Sequence, residues 1–229
     1  WKECYEYALP QREVFNEHSP GKKKNTRIYD STALIATQRF ASRLQSVLVP
    51  PFKKWAKLSA GSAVPKNQQT KIDTQLESTT DTLFSYINNS NLATEANEAF
   101  LDLAVGTGAL LLEEGEGEEL LRFKAVPLKQ LIVEDGPSGT VENVFRDHSV
   151  AARDIERIWP KGKASEAVQK LLTENPDKQI HIVEATIWDD KEKQYSFVVI
   201  ESATKHVVFE DYFEQSPWIV FRWSKVSGE

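Results

Sequence analysis

Residues 99–114 read AFLDLAVGTGALLLEE, and within them LDLAVGTG brings Gly106 and Gly108 together. Paired glycines after an apolar run are one way to build a loop for S-adenosylmethionine. Such a loop works because it follows a strand and opens a helix, whose free N–H groups and positive dipole end then meet the cofactor. The order here is reversed. LATEANEAFLDLAV has helical spacing and precedes the glycines, whereas ALLLEE follows them and reads as a strand. A helix ending at the bend turns its negative end toward it, which suits no anion. Gly106 is therefore expected to be a helix C-cap with positive φ. Gly108 is expected to lead into the strand, where a small residue lets the chain turn. GEGEE lies just beyond and is a poor setting for phosphate. The bend reads as scaffolding, with a methyltransferase as the enzymatic alternative.

Other chemistry-bearing residues are dispersed. His18, His148, His181 and His206 fall at none of the short spacings of a metal site. His181 and His206 sit in strand-like runs and read as structural. Cys4 is the single cysteine, so no disulfide forms within the chain; it lies on the apolar face of a helix with no base nearby and reads as packing. Asp189 and Asp190 form a carboxylate pair suited to acid–base work or a hard cation. They stand in a Lys- and Glu-rich turn, where solvation explains them. No nucleophile elbow or phosphate loop is present. No catalytic, cofactor-binding or metal-binding residue is assigned. Lys22, Lys23 and Lys24 form a basic loop open to solvent, phosphate or a neighbour. Trp1, Trp55, Trp159, Trp188, Trp218 and Trp223 are expected mostly in cores, with one or two at a subunit interface.

The elements that must position these residues follow from periodicity. In WKECYEYALP, Trp1, Cys4, Tyr5 and Ala8 share a helical face, and Pro10 ends it. Ala33, Ala36, Phe40, Leu44 and Val47 mark a second helix that Asp30 or Ser31 caps and Pro50–Pro51 ends. Ile72, Leu76, Leu83 and Ile87 mark a third. Leu92, Ala96, Phe100 and Leu103 mark a fourth, capped by Asn91. After the bend come short β-prone runs: ALLLEE, LLRFKAV, QLIVED and VENVFRDH. SVAARDIERIWP and ASEAVQKLLTENP interrupt them as helices. QIHIVEATIWDD, KQYSFVVIES, KHVVFED and WIVFRW resume them. Helices followed by an antiparallel meander predict an α+β fold. The change of texture divides the chain into a helical part, 1–105, and a β-rich part, 106–229, with a helical insertion near 149–175.

Hydrophobic residues make up 40% of the 229 and charged residues 27%, the balance of a folded chain with a real core. No apolar run approaches the roughly 20 residues that cross a bilayer, so no membrane role is expected. The net charge of −6 argues against tight, non-specific grip on nucleic acid over the whole surface. Methionine is absent even at position 1, so the sequence reads as a portion of a longer chain, and the single cysteine makes a reducing cytoplasm the expected setting.

Taken together, WKECYEYALP, YDSTALIATQRFASRLQSVLVPPFKKW, AFLDLAVGTGALLLEE, LRFKAVPLKQLIVEDGPSGTVENVFRDHSV and SPWIVFRWSKVSGE resemble, in order, the head-to-tail connecting (portal) proteins of short-tailed bacteriophages. The resemblance covers nearly the whole chain and is similar to the N-terminal, mainly wing, portion, without the long stem helices or the C-terminal remainder. It implies a homo-oligomeric ring, normally a dodecamer, at one capsid vertex of the virion, assembled in the host cytoplasm. It also implies contacts with the major capsid protein and scaffold, the terminase and tail adaptor proteins, and double-stranded DNA passing through the channel. It implies no catalysis and no cofactor. A tail adaptor that shares the wing-like segments is the structural alternative.

Overall fold

A computed structural model describes residues 1–12, 29–115, 117 and 119–224. Its elements run α1 (Lys2–Ala8), α2 (Thr32–Leu48), α3 (Lys66–Asn89), α4 (Leu92–Leu103), β1 (Thr107–Glu114), β2 (Leu121–Ala125), β3 (Leu131–Asp135), β4 (Val141–Ala151), α5 (Ile155–Ile158), α6 (Glu166–Glu174), β5 (Gln179–Asp189), β6 (Gln194–Glu201), β7 (Val207–Phe213) and β8 (Trp218–Arg222). This is the α+β architecture that the periodicity predicts. All eight β-prone runs are strands. The chain forms two compact units, Trp1–Pro127 with Ile219–Glu229, and Leu128–Trp218. The change of texture at 105/106 lies inside the first.

The first unit is built around α4. Leu92, Ala96, Ala99, Phe100 and Leu103 recur at three- and four-residue spacing and are all buried, so one stripe of the helix is core. The small Ala41 of α2 lies fully buried in the same cluster, with Leu110 of β1 and Phe123 of β2. Polar residues fix how the helices meet. Gln45 of α2 donates to the Ala93 carbonyl, and Asn97 donates to the Gln45 Oε1 at 2.9 Å. The three-stranded sheet has the order β2-β1-β8. β1 and β2 pair antiparallel, with Leu110 opposite Ala125 and Glu113 opposite Arg122.

Of the two residues expected to cap α2, Asp30 does so, its carboxylate accepting from Thr32 N–H at 2.9 Å, while the Ser31 side chain makes no cap bond. The cap expected of Asn91 is corrected. Asn91 stands at the N-cap of α4 without capping it. Its amide reaches β2, accepting from Phe123 N–H at 2.8 Å and donating to Phe123 C=O at 2.7 Å. A strand's backbone needs were the stronger claim on that side chain, because buried backbone groups must be paired.

The second unit is a five-stranded antiparallel meander, β3-β4-β5-β6-β7, in chain order. Gly139, at φ 73, lets the β3–β4 connection turn where a side chain would strain. Alternate residues of the inner strands face one core: Ile180 and Ile182 of β5 with Phe197 and Val199 of β6. The segment between β4 and β5 folds over them, burying Ile155, Trp159 and Val168. Ser165 caps α6, its Oγ accepting from Val168 N–H at 3.3 Å. The outer edge of β7 is partly closed. Lys163 N–H donates to the Val208 carbonyl at 2.8 Å, and the Asp211 carboxylate accepts from Tyr212 N–H at 2.9 Å. Both occupy groups that another strand would otherwise seek.

Candidate functional site

At the glycine bend the predicted polarity holds. α4 ends at Leu103 and β1 begins at Thr107, so a helix enters and a strand leaves. The reason given for Gly106 does not hold. The C-cap is Ala104, with right-handed backbone, and among the described glycines positive φ occurs at Gly117 and Gly139. Gly106 follows on from the helix by donating to the Asp102 carbonyl at 3.0 Å. The reason for Gly108 is proximity rather than turning. It is already in β1, and a Cβ there would collide with the Phe221 ring and lie 2.8 Å from the Ala99 carbonyl oxygen. The small residue brings α4, β1 and β8 together. The amides of this bend serve the fold, and the negative end of α4 faces it.

Asp102, in the middle of the quoted stretch, is the residue that sequence reading missed. It is fully buried. Tyr5 of α1 donates its hydroxyl to Asp102 Oδ1 at 2.5 Å, and Arg12 pairs with Oδ2. Arg12 also donates to the Glu98 carbonyl at 2.9 Å and its carboxylate at 2.7 Å. The start of the chain is thereby tied to α4 across some ninety residues of sequence. Burial pushes the Asp102 carboxyl above the ordinary aspartate value; Arg12 and the Tyr5 hydrogen bond oppose the rise without cancelling it. In the sequence Asp102 looks like one more member of the acidic side of α4 with Glu95 and Glu98, so its burial had no local signal.

A second buried ionic group lies in the meander. The register sets Arg146 opposite Glu184, and Arg146 Nη1 lies 3.3 Å from Glu184 Oε1. His148 Nε2 is 2.7 Å from the same oxygen, and Arg146 Nε donates to Gln130 Oε1 at 3.1 Å. His148 is thus a structural partner within the sheet. His181 lies near the surface, paired with Asp147 at 2.6 Å, and His206 is 2.8 Å from the Lys163 carbonyl oxygen. The register brought together residues 36 and 38 positions apart, which no local spacing could show. Asp189 organises its turn by accepting from Lys191 N–H at 2.8 Å, and Asp190 accepts from the Trp188 indole at 3.1 Å. Among the described residues no group of three His, Cys, Asp or Glu is placed to hold a metal ion. An open groove of about 300 Å³ runs beside Lys161, Lys163 and the Val207–Asp211 stretch of β7. His18 and Lys22–Lys24 lie outside the described residues.

Two expectations about side-chain placement are overturned. Cys4 is exposed, because α1 buries only Tyr5. Most tryptophans are not core: Trp159 and Trp218 are buried, whereas Trp1, Trp55 and Trp223 are exposed. A seven-residue helix held by one buried ring cannot hide the rest of its apolar face. The buried Trp218 indole donates to Thr186 Oγ1 at 2.9 Å.

The surface has its own organised feature. Residues 51–59, PFKKWAKLS, lie exposed at every position, yet they are pinned along α3. Leu58 N–H donates to Thr80 Oγ1 at 3.1 Å and Ala60 N–H to Asp73 Oδ1 at 2.8 Å. Lys54 pairs with Asp81, and Trp55 packs edge-on against Phe84 with ring centroids 5.4 Å apart. Phe52 is 81% exposed and held at φ 60, a strained backbone for a bulky residue. Val47 and Leu48, at the end of α2 just before it, are also exposed. No described helix is long and apolar enough to cross a membrane.

The described residues present paired buried charges, a packed bend and an exposed strap that carries Phe52 and Trp55. The chain is 23% identical over 245 residues to the portal protein of Salmonella phage epsilon15, a match that takes in all of this chain and 43% of that protein. The chain thus spans less than half the length of this relative. A family model for bacteriophage head to tail connecting protein matches residues 1–229. This chain belongs to the bacteriophage head-to-tail connecting protein family.

Proposed function

We propose that the chain is part of a portal subunit that forms a ring, normally a dodecamer, at one capsid vertex of the virion. The ring conducts double-stranded DNA during packaging and ejection, docks the terminase and the tail adaptors, and assembles in the host cytoplasm with the major capsid protein and scaffold. The family match along the whole chain carries this reading. Residues 1–105 and 106–229 would be the helical and β-rich parts of the wing region.

Physical features support it. The net charge of −6 resides in residues 128–218, where 17 Asp and Glu outnumber 11 Lys and Arg. A subunit that lets DNA slide must not hold its phosphates tightly, and an acidic unit avoids that. The subunit itself breaks no bonds in this reading. The reversed polarity of the Gly106–Gly108 bend removes the one stretch that suggested a cofactor.

Negative-stain electron microscopy of the full gene product tests the proposal. Rings with a central hole are expected; compact monomers at every concentration would overturn it. Saturable calorimetric binding of S-adenosylmethionine would overturn the non-enzymatic part.

A further inference from the structure

We infer that the outward face of the β3–β7 meander is the docking surface for the next copy of this chain, and that its occupant is the neighbour's α2, laid on by the stripe Ile35, Arg39, Arg43 and Val47. The inference rests on the ring reading and says which surfaces close the ring.

The outward face is apolar where water would favour polar side chains. The two helices of this unit, α5 and α6, bury Ile155 and Val168 in the core on one side of the sheet. An antiparallel sheet with its other side in water ordinarily alternates apolar and polar residues along each strand. Here the register lines up Ile132, Phe145, Ala185 and Val198 across four strands on the side away from that core. Ile187 and Ile200 adjoin the row on the same side, and Ile132 and Ile187 are exposed. A contiguous apolar face of this kind marks an interaction site.

Charge and dimensions select the occupant. Glu134, Asp147 and Glu210 share the outward face, and the strand register places no Lys or Arg there. Their contacts are with Asn143, His181 and Tyr212, none of which carries a permanent positive charge. Two such faces set together would crowd like charges, so the contact is heterologous, as a closed ring requires. α2 has the opposite sign: Arg39 and Arg43 are its charged residues, and it holds no Asp or Glu. Both arginines are exposed and make no ion pair among the described residues. With the exposed Ile35 and Val47 they recur at four-residue steps, on the side of the helix away from the buried Thr37 and Ala41. The stripe is about 18 Å long and the five-stranded face about 19 Å across, so one reaches over the other. Docked there, α2 gives the sheet the second helical layer that its own unit does not supply.

The test uses the full gene product and sedimentation velocity across a concentration series. Arg39→Glu with Arg43→Glu, and separately Ile132→Lys on the edge strand β3, are each expected to raise the concentration for half-assembly about ten-fold. The melting temperature of the unassembled subunit should stay the same, because all three side chains are exposed. Glu134→Lys with Glu210→Lys should weaken assembly alone and restore it when combined with the arginine reversal. Rings that form at wild-type concentration in both the arginine and the Ile132 variants would overturn the contact while leaving the ring reading intact. So would variants that weaken assembly without rescue by the charge exchange, or a lowered subunit melting temperature with unchanged assembly, which would mean that the chain covers these surfaces itself. A wild-type product that never forms rings would sink the ring reading and this contact together.

Discussion

Gly108 and Asp102 show how single residues carry this fold. At Gly108 the absence of a side chain is structural: the Phe221 ring and the Ala99 carbonyl occupy the space a methyl group would take. Gly108→Ala is expected to destabilise by about 2 kcal/mol through overpacking, read as a lowered melting temperature. An unchanged melting temperature would show that the close approach is not constraining. Asp102 makes the opposite kind of statement. Its folded pKa lies above the unfolded value because burial outweighs Arg12 and Tyr5. A raised pKa means that the native state holds the proton more tightly. Its stabilising contribution is therefore complete below the ordinary aspartate value and is lost as pH rises through the raised one. Unfolding midpoints measured across weakly acidic pH should fall through that window in the wild type, and Asp102→Asn should flatten the slope. A slope identical in the two proteins would refute the assignment. Neither residue announced its role in sequence. A glycine's neighbour across the fold and a carboxylate's burial are set by contacts with Phe221, Tyr5 and Arg12, which lie far along the chain.

At the scale of elements the junction between α4 and β2 depends on one side chain. Asn91 satisfies both the N–H and the C=O of Phe123. Asn91→Ala leaves both without that partner at a partly buried position, so a loss of about 1–3 kcal/mol is expected. Hydrogen exchange should show the β2 amides opening first. Protection in β2 equal to wild type would contradict this. The positions of α2, α3, α4 and all eight strands were legible beforehand, because apolar spacing of three to four or of two residues is a local property. The cap at Asn91 was misread because its sequence context allows the local bond, whereas the unmet backbone of β2 took it instead. The helical face of α1 was misread because spacing shows which residues could be buried together, not whether anything covers them.

The whole molecule has two cores. Phe100 belongs to the cluster around α4, and Val199 to the meander beneath α6. Calorimetry should resolve two transitions. Phe100→Ala should shift one and Val199→Ala the other, by about 3–5 and about 2 kcal/mol respectively. A single transition moved equally by both would show that the units unfold as one. The sequence by itself determined the α+β class, the order of the elements, the polarity of the Gly106–Gly108 bend and the resemblance to the connector family, because each is carried by residues close together in the chain. Only the tertiary structure decided that Asp102 anchors the N-terminus, that Arg146 and His148 share Glu184, and that Trp55 and Phe52 face outward. Those outcomes turn on burial and register between segments tens of residues apart, and free energies of burial and pairing exist only once the segments meet.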